Sequence, residues 1–429
     1  MTTSPSLPQT TTTLRRQQSI LFVLVLFVLA YKSNDALVNP QFWAEDAVVF
    51  FKDQFRKAFP QLFTPYAGYL HAVPRLVAWI AGWFPLSKAP LVYNAFALVL
   101  SALAITLTCG QLRRQIPVYV VALSFLLVPT NGEIFGNITN VQWFLQFALV
   151  ALCLAPLNRD ASKLTAWFRA GGVLIASLTG PFSILLSSVV IGLLIASLVS
   201  KKLAWDPFEG ALSNFTAQRD WRVLSALGLG ALVQLGFVGT HVQSGADNSY
   251  GLIKLLRITF TELVPIHTFG STFLTSTLWV ALYLAMLGVL LFSRRVDGRT
   301  RLLVLGFTAF ATVEVFASII RIVADLPLVY KMAGDRYFYV TKVVWWWAVW
   351  LTLYAAGMAA TRSIATRATV ALICFFALNN ATSLRRPAFA DFAWRDHVRQ
   401  LDQPGPHTIP VNPGGPWNIT VDGDPTMPR

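Results

Sequence analysis

Long runs of apolar residues, separated by short polar stretches, extend along most of the chain. A membrane-spanning helix needs about 20 mainly apolar residues, and this pattern predicts about 11 spans. Gly180 and Pro181 interrupt one run, which predicts a sharp hairpin because proline lacks an N–H. The expected fold is therefore an all-α polytopic membrane protein. The predicted spans are residues 19–38, 89–109, 116–128, 141–157, 170–178, 182–199, 223–240, 273–292, 302–320, 340–358 and 369–378.

The composition changes which partners are expected. Hydrophobic residues make up 55% of the chain and charged residues 13%, whereas soluble domains average about 25% charged residues. The formal net charge is +14, and many basic residues fall in short loops between apolar runs. Such charges orient helices and contact anionic lipid, so membrane lipids are expected as partners and nucleic acid is not. The three cysteines show neither metal-ligand nor disulfide spacing.

The basic loops also predict the orientation. With the N-terminus in the cytosol, short loops carrying Lys201, Lys202, Arg294 and Arg295 face the cytosol, as the positive-inside rule requires. Four longer stretches and the end of the chain then lie on the periplasmic side. We call residues 39–88, 129–140, 241–270 and 321–339 the outer segments.

Three regions follow from this map: a disordered cytosolic tail at 1–18, a transmembrane domain at 19–378 with a first outer loop at 39–88, and a periplasmic C-terminal tail at 379–429. The tail is rich in Pro and Gly, and it is either a small β-rich appendage or an ordered arm over the outer face. Residues 66–84 are apolar enough to span, but a span there would invert every later loop. We interpret them as interfacial helices anchored by aromatic residues.

Two adjacent carboxylates, Glu45 and Asp46, follow the first predicted span. Carboxylates at a membrane surface are expensive to desolvate and often mark a functional site. Aromatic residues on both sides would seat the pair at the membrane surface. The alternative is that the pair only begins a helix, where acidic residues are favourable.

Several short motifs resemble the GT-C superfamily of membrane glycosyltransferases, in the form typical of bacterial surface-polysaccharide and O-antigen loci. They are Phe42-Trp-Ala-Glu-Asp-Ala47, Gly136-Asn-Ile-Thr-Asn-Val-Gln-Trp143, Leu178-Thr-Gly-Pro-Phe182, Gly334-Asp-Arg-Tyr-Phe-Tyr339 and Val411-Asn-Pro-Gly-Gly-Pro-Trp417. The resemblance implies a glycosyltransferase of the bacterial inner membrane with a periplasmic active site. It further implies inverting transfer of a monosaccharide from a polyprenyl-phosphate donor to a lipid-linked saccharide or surface polysaccharide.

Such a reaction needs a base for the acceptor hydroxyl and positive charge for the departing phosphate. Asp46 is the first candidate for the base and Glu45 the second. Arg336 is the main phosphate candidate, unless Asp335 simply neutralises it. The supporting phosphate candidates are Arg321, Lys331 and Arg257, although the last would also suit an amphipathic helix as a snorkelling side chain.

The remaining candidates are substrate-binding residues. His71 and Arg75 would line an acceptor cleft or else contact lipid headgroups. Asn137, Asn140 and Trp143 would bind sugar, with loop capping and membrane anchoring as the alternative, and Tyr337 would join them from the late motif.

The sequence shows no metal-ligand cluster, so no cofactor is expected, although carboxylates and phosphate oxygens sharing a divalent metal stay open. The rival function is a transporter or flippase of an anionic lipid or solute. A third class is a structural partner in an export complex.

Overall fold

The computed structural model describes residues 11–156, 162–240, 250–269, 276–380, 384–401 and 403–423. The described chain is mostly helical, with one β-hairpin near its C-terminal end. The helices are α1 Thr11–Lys32, α2 Asp35–Val38, α3 Lys52–Gln54, α4 Ala72–Ala81, α5 Ala89–Leu112, α6 Val118–Leu127, α7 Gln142–Leu154, α8 Lys163–Ser177, α9 Phe182–Leu203, α10 Trp221–Thr240, α11 Leu252–Ile258, α12 Val264–Phe269, α13 Ser276–Phe292, α14 Gly298–Arg321, α15 Leu326–Val329, α16 Tyr339–Ala355, α17 Arg362–Leu378 and α18 Trp394–Gln400. The strands are β1 Gly405–Pro410 and β2 Asn418–Gly423.

Every predicted span contains a helix, so the helical class is confirmed. The number of membrane crossings stays a prediction, because several helices in the predicted spans are short, such as α6 with 10 residues. A GT-C-like architecture also stays a prediction. Within the described residues, five helices are long and apolar enough to cross a membrane. These are Thr13–Lys32, Leu86–Leu112, Phe182–Leu203, Trp221–Val238 and Gly298–Arg321.

The start of the chain differs from the prediction of a disordered tail through residue 18. Helix α1 already begins at Thr11, so residues 11–18 are helical, while residues 1–10 lie outside the described part. The first predicted span also ends early, because α1 stops at Lys32 and a turn leads into α2. The ammonium of Lys32 is buried and donates to the carbonyl of Leu126, 2.8 Å away, which fixes the helix end against α6.

The stretch 66–84 holds a single helix, α4, of 10 residues. At 1.5 Å per residue it is about 15 Å long, half the thickness of a hydrocarbon core. Its apolar side chains pack inward against the loop and α5, while Trp83 and Phe84 beyond its end are 65% and 48% exposed. A short helix with exposed aromatic residues agrees with an interfacial position.

Two groups of contacts join connecting segments that are distant in sequence. In the first group, the outer segments bond to one another, as described for the site below. In the second, Arg219 donates to the carbonyls of Leu154 and Ala155, and Arg362 donates to the carbonyl of Gln115. Helix α5, 24 residues long, runs from the first group to the second, so these groups lie at opposite ends of the helical bundle.

The C-terminal tail combines both predicted alternatives. Strands β1 and β2 form an antiparallel hairpin in which Thr408 faces Thr420. The tail also packs onto the first outer loop, and the two share a hydrophobic core separate from that of the main bundle. Trp394 is central to it, since its ring meets Phe42 and Phe51 edge-on at centroid distances of 4.8 and 5.3 Å.

Candidate functional site

The two adjacent carboxylates sit at a sharp change in backbone direction. Ala44 has a positive φ of 25°, a conformation that residues other than glycine seldom adopt. A π-helical turn, Asp46–Phe51, follows directly and buries Asp46, Phe50 and Phe51. Glu45 and Asp46 therefore enter different surroundings although they are neighbours in sequence.

Asp46 is fully buried and fully hydrogen-bonded. Its Oδ1 accepts bonds from the backbone N–H of Thr139, at 2.8 Å, and from the Thr139 hydroxyl, while its Oδ2 accepts from the N–H of Ile138 at 3.1 Å. Burial raises the pKa of Asp46 to about 7, although these hydrogen bonds oppose the shift. This carboxylate ties the first outer loop to the second, and its ranking as first candidate for the base stays a prediction.

Glu45 instead belongs to a cluster with Arg336 and Glu133. The guanidinium of Arg336 lies 3.9 Å from Glu45 Oε1 and 3.5 Å from Glu133 Oε2, and the backbone N–H of Arg336 donates to Glu133 Oε1 at 3.0 Å. These side chains keep 21%, 9% and 13% exposure for Arg336, Glu45 and Glu133. We call these three residues the carboxylate–arginine cluster. Burial lowers the pKa of Arg336, but the two carboxylates more than offset this and hold it above its ordinary value.

Gly334 and Asp335 set the position of Arg336. Gly334 has a φ of 66°, and the 3₁₀ turn Asp335–Phe338 starts directly after it. The alternative was that Asp335 neutralises Arg336, but Asp335 pairs with other groups. It accepts from Nδ1 of His267 at 2.8 Å, from the N–H of Asn131 at 3.1 Å, and from the ammonium of Lys342. Burial alone would raise the pKa of Asp335, but Lys342 and His267 lower it below its usual range.

A cavity of about 330 Å³ lies beside the cluster. Tyr337 connects the two, because its hydroxyl accepts from Arg336 at 3.5 Å and its side chain lines the cavity. The rest of the wall comes from the first outer segment, from the start of α7, and from α9, α10 and α14. Its polar members are Tyr69, Gln142, Ser318 and Arg321, and its apolar members include Pro181, Phe182, Ile184, Leu185, Val238 and Ala317.

Arg321 presents its charge to this cavity. It ends α14, donates to the carbonyl of Ala67 at 2.9 Å and lies 4.9 Å from the centre of the Tyr69 ring. Within the described residues no carboxylate forms an ion pair with Arg321. Arg321 is thus the cation of the cavity wall, whereas Arg336 is already compensated by two carboxylates.

His71 and Arg75 lie close by but do not line the cavity. Arg75 is fully buried in an ion pair with Asp53, at 2.8 Å. The His71 ring packs against Tyr69 at a centroid distance of 4.8 Å. Burial, aided by the charges of Arg75 and Arg321, lowers the pKa of His71 to about 3, so the ring is neutral. Both residues lie behind the wall of this cavity, and their role in an acceptor cleft stays a prediction.

Of the three residues predicted to bind sugar next to the second outer segment, one lines the cavity from the start of α7. Trp143 is 5% exposed, lines the wall and meets Tyr337 and Phe182 edge-on. Asn137 and Asn140 both donate to the carbonyl of Glu133, at 2.6 and 2.8 Å. These amides therefore shape the loop that presents Glu133, and their predicted role in sugar binding stays a prediction.

Two predicted cations lie away from the cavity wall. Lys331 is exposed, and the side chain of Arg257 is 69% exposed and lies 3.9 Å from Glu262. Neither belongs to the residues that line the cavity. Arg321, by contrast, was only a supporting candidate and does line the cavity.

Gln234 is a structural residue of the site that the sequence pattern did not predict. It is fully buried in α10 and bonds to both the N–H and the carbonyl of Leu70, at 2.8 and 3.2 Å, and to the carbonyl of Gly180 at 3.0 Å. It therefore fastens the first outer loop to the hairpin between α8 and α9. A lone glutamine within an apolar span is the signal that could have found it.

Comparison with known proteins returns no match to a family model, to a curated protein or to a solved structure.

Proposed function

We propose that this chain is a membrane glycosyltransferase that moves a monosaccharide from a polyprenyl-phosphate donor to a lipid-linked saccharide or surface polysaccharide. The observation that carries the proposal is the carboxylate–arginine cluster beside a largely apolar cavity, whose wall includes Arg321, a cation with no ion-paired carboxylate among the described residues. A volume of about 330 Å³ is at the lower end of ordinary ligand sites.

Glu45 is the proposed general base. It takes the proton of the acceptor hydroxyl while that oxygen bonds to the anomeric carbon, and the bond from this carbon to the phosphate oxygen breaks with its electron pair on the phosphate. Glu45 suits this role better than Asp46, because its Oε2 has no hydrogen-bond partner among the described residues and its side chain keeps 9% exposure.

Arg321 is the proposed ligand of the departing phosphate. A guanidinium at this position can hold a developing phosphate charge through charge-assisted hydrogen bonds. Arg336 is better suited to orient Glu45, since it bridges Glu45 and Glu133. The apolar wall, which includes Ile184, Leu185 and Val238, offers a surface for the prenyl chain.

The proposed location is the bacterial inner membrane, with the N-terminus in the cytosol and the C-terminus in the periplasm. The outer segments then meet on the periplasmic side, where such donors and acceptors would be reached. The support for this orientation is the distribution of basic loop residues, because Lys201 and Lys202 end α9 away from the cluster.

The test is transfer of labelled sugar from polyprenyl-phosphate hexose and pentose donors by membranes that contain the native chain or a variant. Glu45→Gln is expected to lose at least about 100-fold in rate, the usual contribution of a general base. Glu262→Gln is the matched control, since Glu262 pairs with exposed Arg257, and it should leave the rate unchanged. Full transfer by Glu45→Gln would refute the assignment of the base.

One observation favours a transporter or flippase as the second candidate. Glu314 is fully buried within α14, and Ser318, which donates to it at 3.3 Å, also lines the cavity. A carboxyl inside a membrane segment is typical of ion and substrate pathways. Absence of transfer from every donor, together with lipid flipping that depends on Glu314, would favour this candidate over the enzyme.

A further inference from the structure

The C-terminal arm, which we define as residues 384–423 without 402, packs against the segment that precedes Glu45 in sequence. The guanidinium of Arg386 bonds to Asp35 at 2.8 Å, and the ring of Phe389 stacks on Trp43 at a centroid distance of 4.9 Å. The indole N–H of Trp394 donates to the carbonyl of Leu86 at 2.9 Å. The arm therefore contacts both the beginning and the end of the first outer loop.

Asn412 makes the contact nearest to the proposed base. Its backbone carbonyl accepts from the N–H of Ala44 at 2.5 Å, and its N–H donates to the carbonyl of Phe42 at 3.2 Å. Its side chain bonds twice to Ala390, accepting from the N–H at 2.8 Å and donating to the carbonyl at 2.9 Å. The backbone of this 3% exposed residue thus pairs with the strained loop, and its side chain fixes that backbone within the arm through Ala390.

The backbone on the two sides of Glu45 is fixed by different parts of the protein. Ala44, with its φ of 25°, is held by Asn412, and Asp46 is held by Ile138 and Thr139. A residue in a sparsely populated conformation persists only when its surroundings hold it there. The contact to Asn412 is the one that bonds directly to the N–H of Ala44, and its loss would relax the geometry that directs Glu45 to Arg336.

We propose that Asn412 is a positioning residue, and that the C-terminal arm holds Glu45 in its reactive orientation. This inference rests on the proposed function. It assigns the arm a task in the reaction, although the arm contributes no residue to the cavity wall.

The test compares Asn412→Ala with Asn418→Ala in the full chain. Asn418 lies in the same hairpin, is exposed and bonds only locally, to the carbonyl of Pro416. Asn412→Ala is expected to lower kcat about tenfold, since small misplacements of a reacting group are costly, with KM for the donor within about twofold. Asn418→Ala should match the native chain. An unchanged kcat for Asn412→Ala, or an effect on KM alone, would overturn the proposal.

A second readout does not depend on the reaction. Carbodiimide modification of Glu45, followed by mass spectrometry, is expected to be faster in Asn412→Ala than in the native chain, because the loosened loop exposes the carboxylate. Equal modification rates would contradict the positioning role even if the native chain transfers no sugar. If Asn412→Ala fails to fold, Asn412→Ser is the milder second variant, because its shorter side chain keeps a hydroxyl and loses at least one of the two bonds to Ala390. It should give an intermediate fall in kcat, and native kcat in that variant would also overturn the proposal.

Discussion

At the scale of single residues, the two adjacent carboxylates show how strongly local surroundings decide a role. Asp46 has no exposure and accepts three hydrogen bonds, whereas Glu45 keeps some exposure beside Arg336. Consecutive residues of a helix point about 100° apart, so we expect a single site to use only one of them directly. The choice between them depended on donors 92 and 93 residues away in sequence, which a local pattern does not contain.

The buried Asp46 predicts a pH dependence of stability. Its folded pKa is about 7, above the ordinary value of about 4 for aspartate in an unfolded chain. Between these values the folded state binds a proton that the unfolded state does not, so this contribution is present below about pH 4 and is lost as the pH rises to about 7. The slope is at most about 1.4 kcal/mol per pH unit.

The measurement is the apparent thermal midpoint of the purified chain between pH 4.5 and 7.5, compared with Asp46→Asn. The variant should lose this part of the slope. It should also be less stable, because the NH2 group of its amide would stand opposite the N–H of Ile138, and two donors cannot form a hydrogen bond. Glu262→Gln serves again as the control. Parallel curves for the native chain and Asp46→Asn would show that Asp46 does not titrate in this range.

At the scale of elements, hydrophobic patterning predicts the helices well and their tertiary roles poorly. Helix α4 follows from an apolar run, but nothing in that run shows that Arg75 turns inward to Asp53 rather than outward to lipid. Similarly, Asp335 stands beside Arg336 in sequence and pairs instead with Lys342 and His267. Long-range partners are chosen by packing between elements, and a single sequence does not encode them as a readable pattern.

The pair between Arg75 and Asp53 gives a prediction for the first outer loop. Asp53→Asn would leave a fully buried guanidinium without its counter-ion, and we expect a loss of about 2 kcal/mol in stability, moderated because Asp53 is 35% exposed. The double variant Arg75→Met with Asp53→Asn should recover much of this loss, since no buried charge remains. Thermal unfolding of the four chains measures the coupling, and additive losses would contradict a specific pair.

At the scale of the whole molecule, the outer segments meet at one place. The sequence predicted only that these longer loops lie on the same side of the membrane. Asp46 in the first bonds to Thr139 in the second, Glu133 in the second bonds to Arg336 in the last, and His267 in the third bonds to Asp335. The location of the site could thus be predicted from sequence by topology. Its composition could not, since Arg321 was only a supporting candidate and Gln234 was not considered.

This convergence predicts the accessibility of single cysteines from the two sides of the membrane. Lys57 and Lys331 belong to outer segments, whereas Lys202 ends α9 at the other end of the bundle, and all three are exposed. In a Cys374→Ser background, which leaves only the buried Cys109 and Cys153, Lys57→Cys and Lys331→Cys should react with a membrane-impermeant maleimide in spheroplasts. Lys202→Cys should react only after permeabilisation, because the positive-inside rule predicts that the basic loops face the cytosol. Labelling of Lys57→Cys and Lys331→Cys from opposite sides of the membrane would contradict the meeting of their segments at one site. If the labelling pattern of all three variants were reversed, the orientation would be inverted, but the outer segments would still share one side.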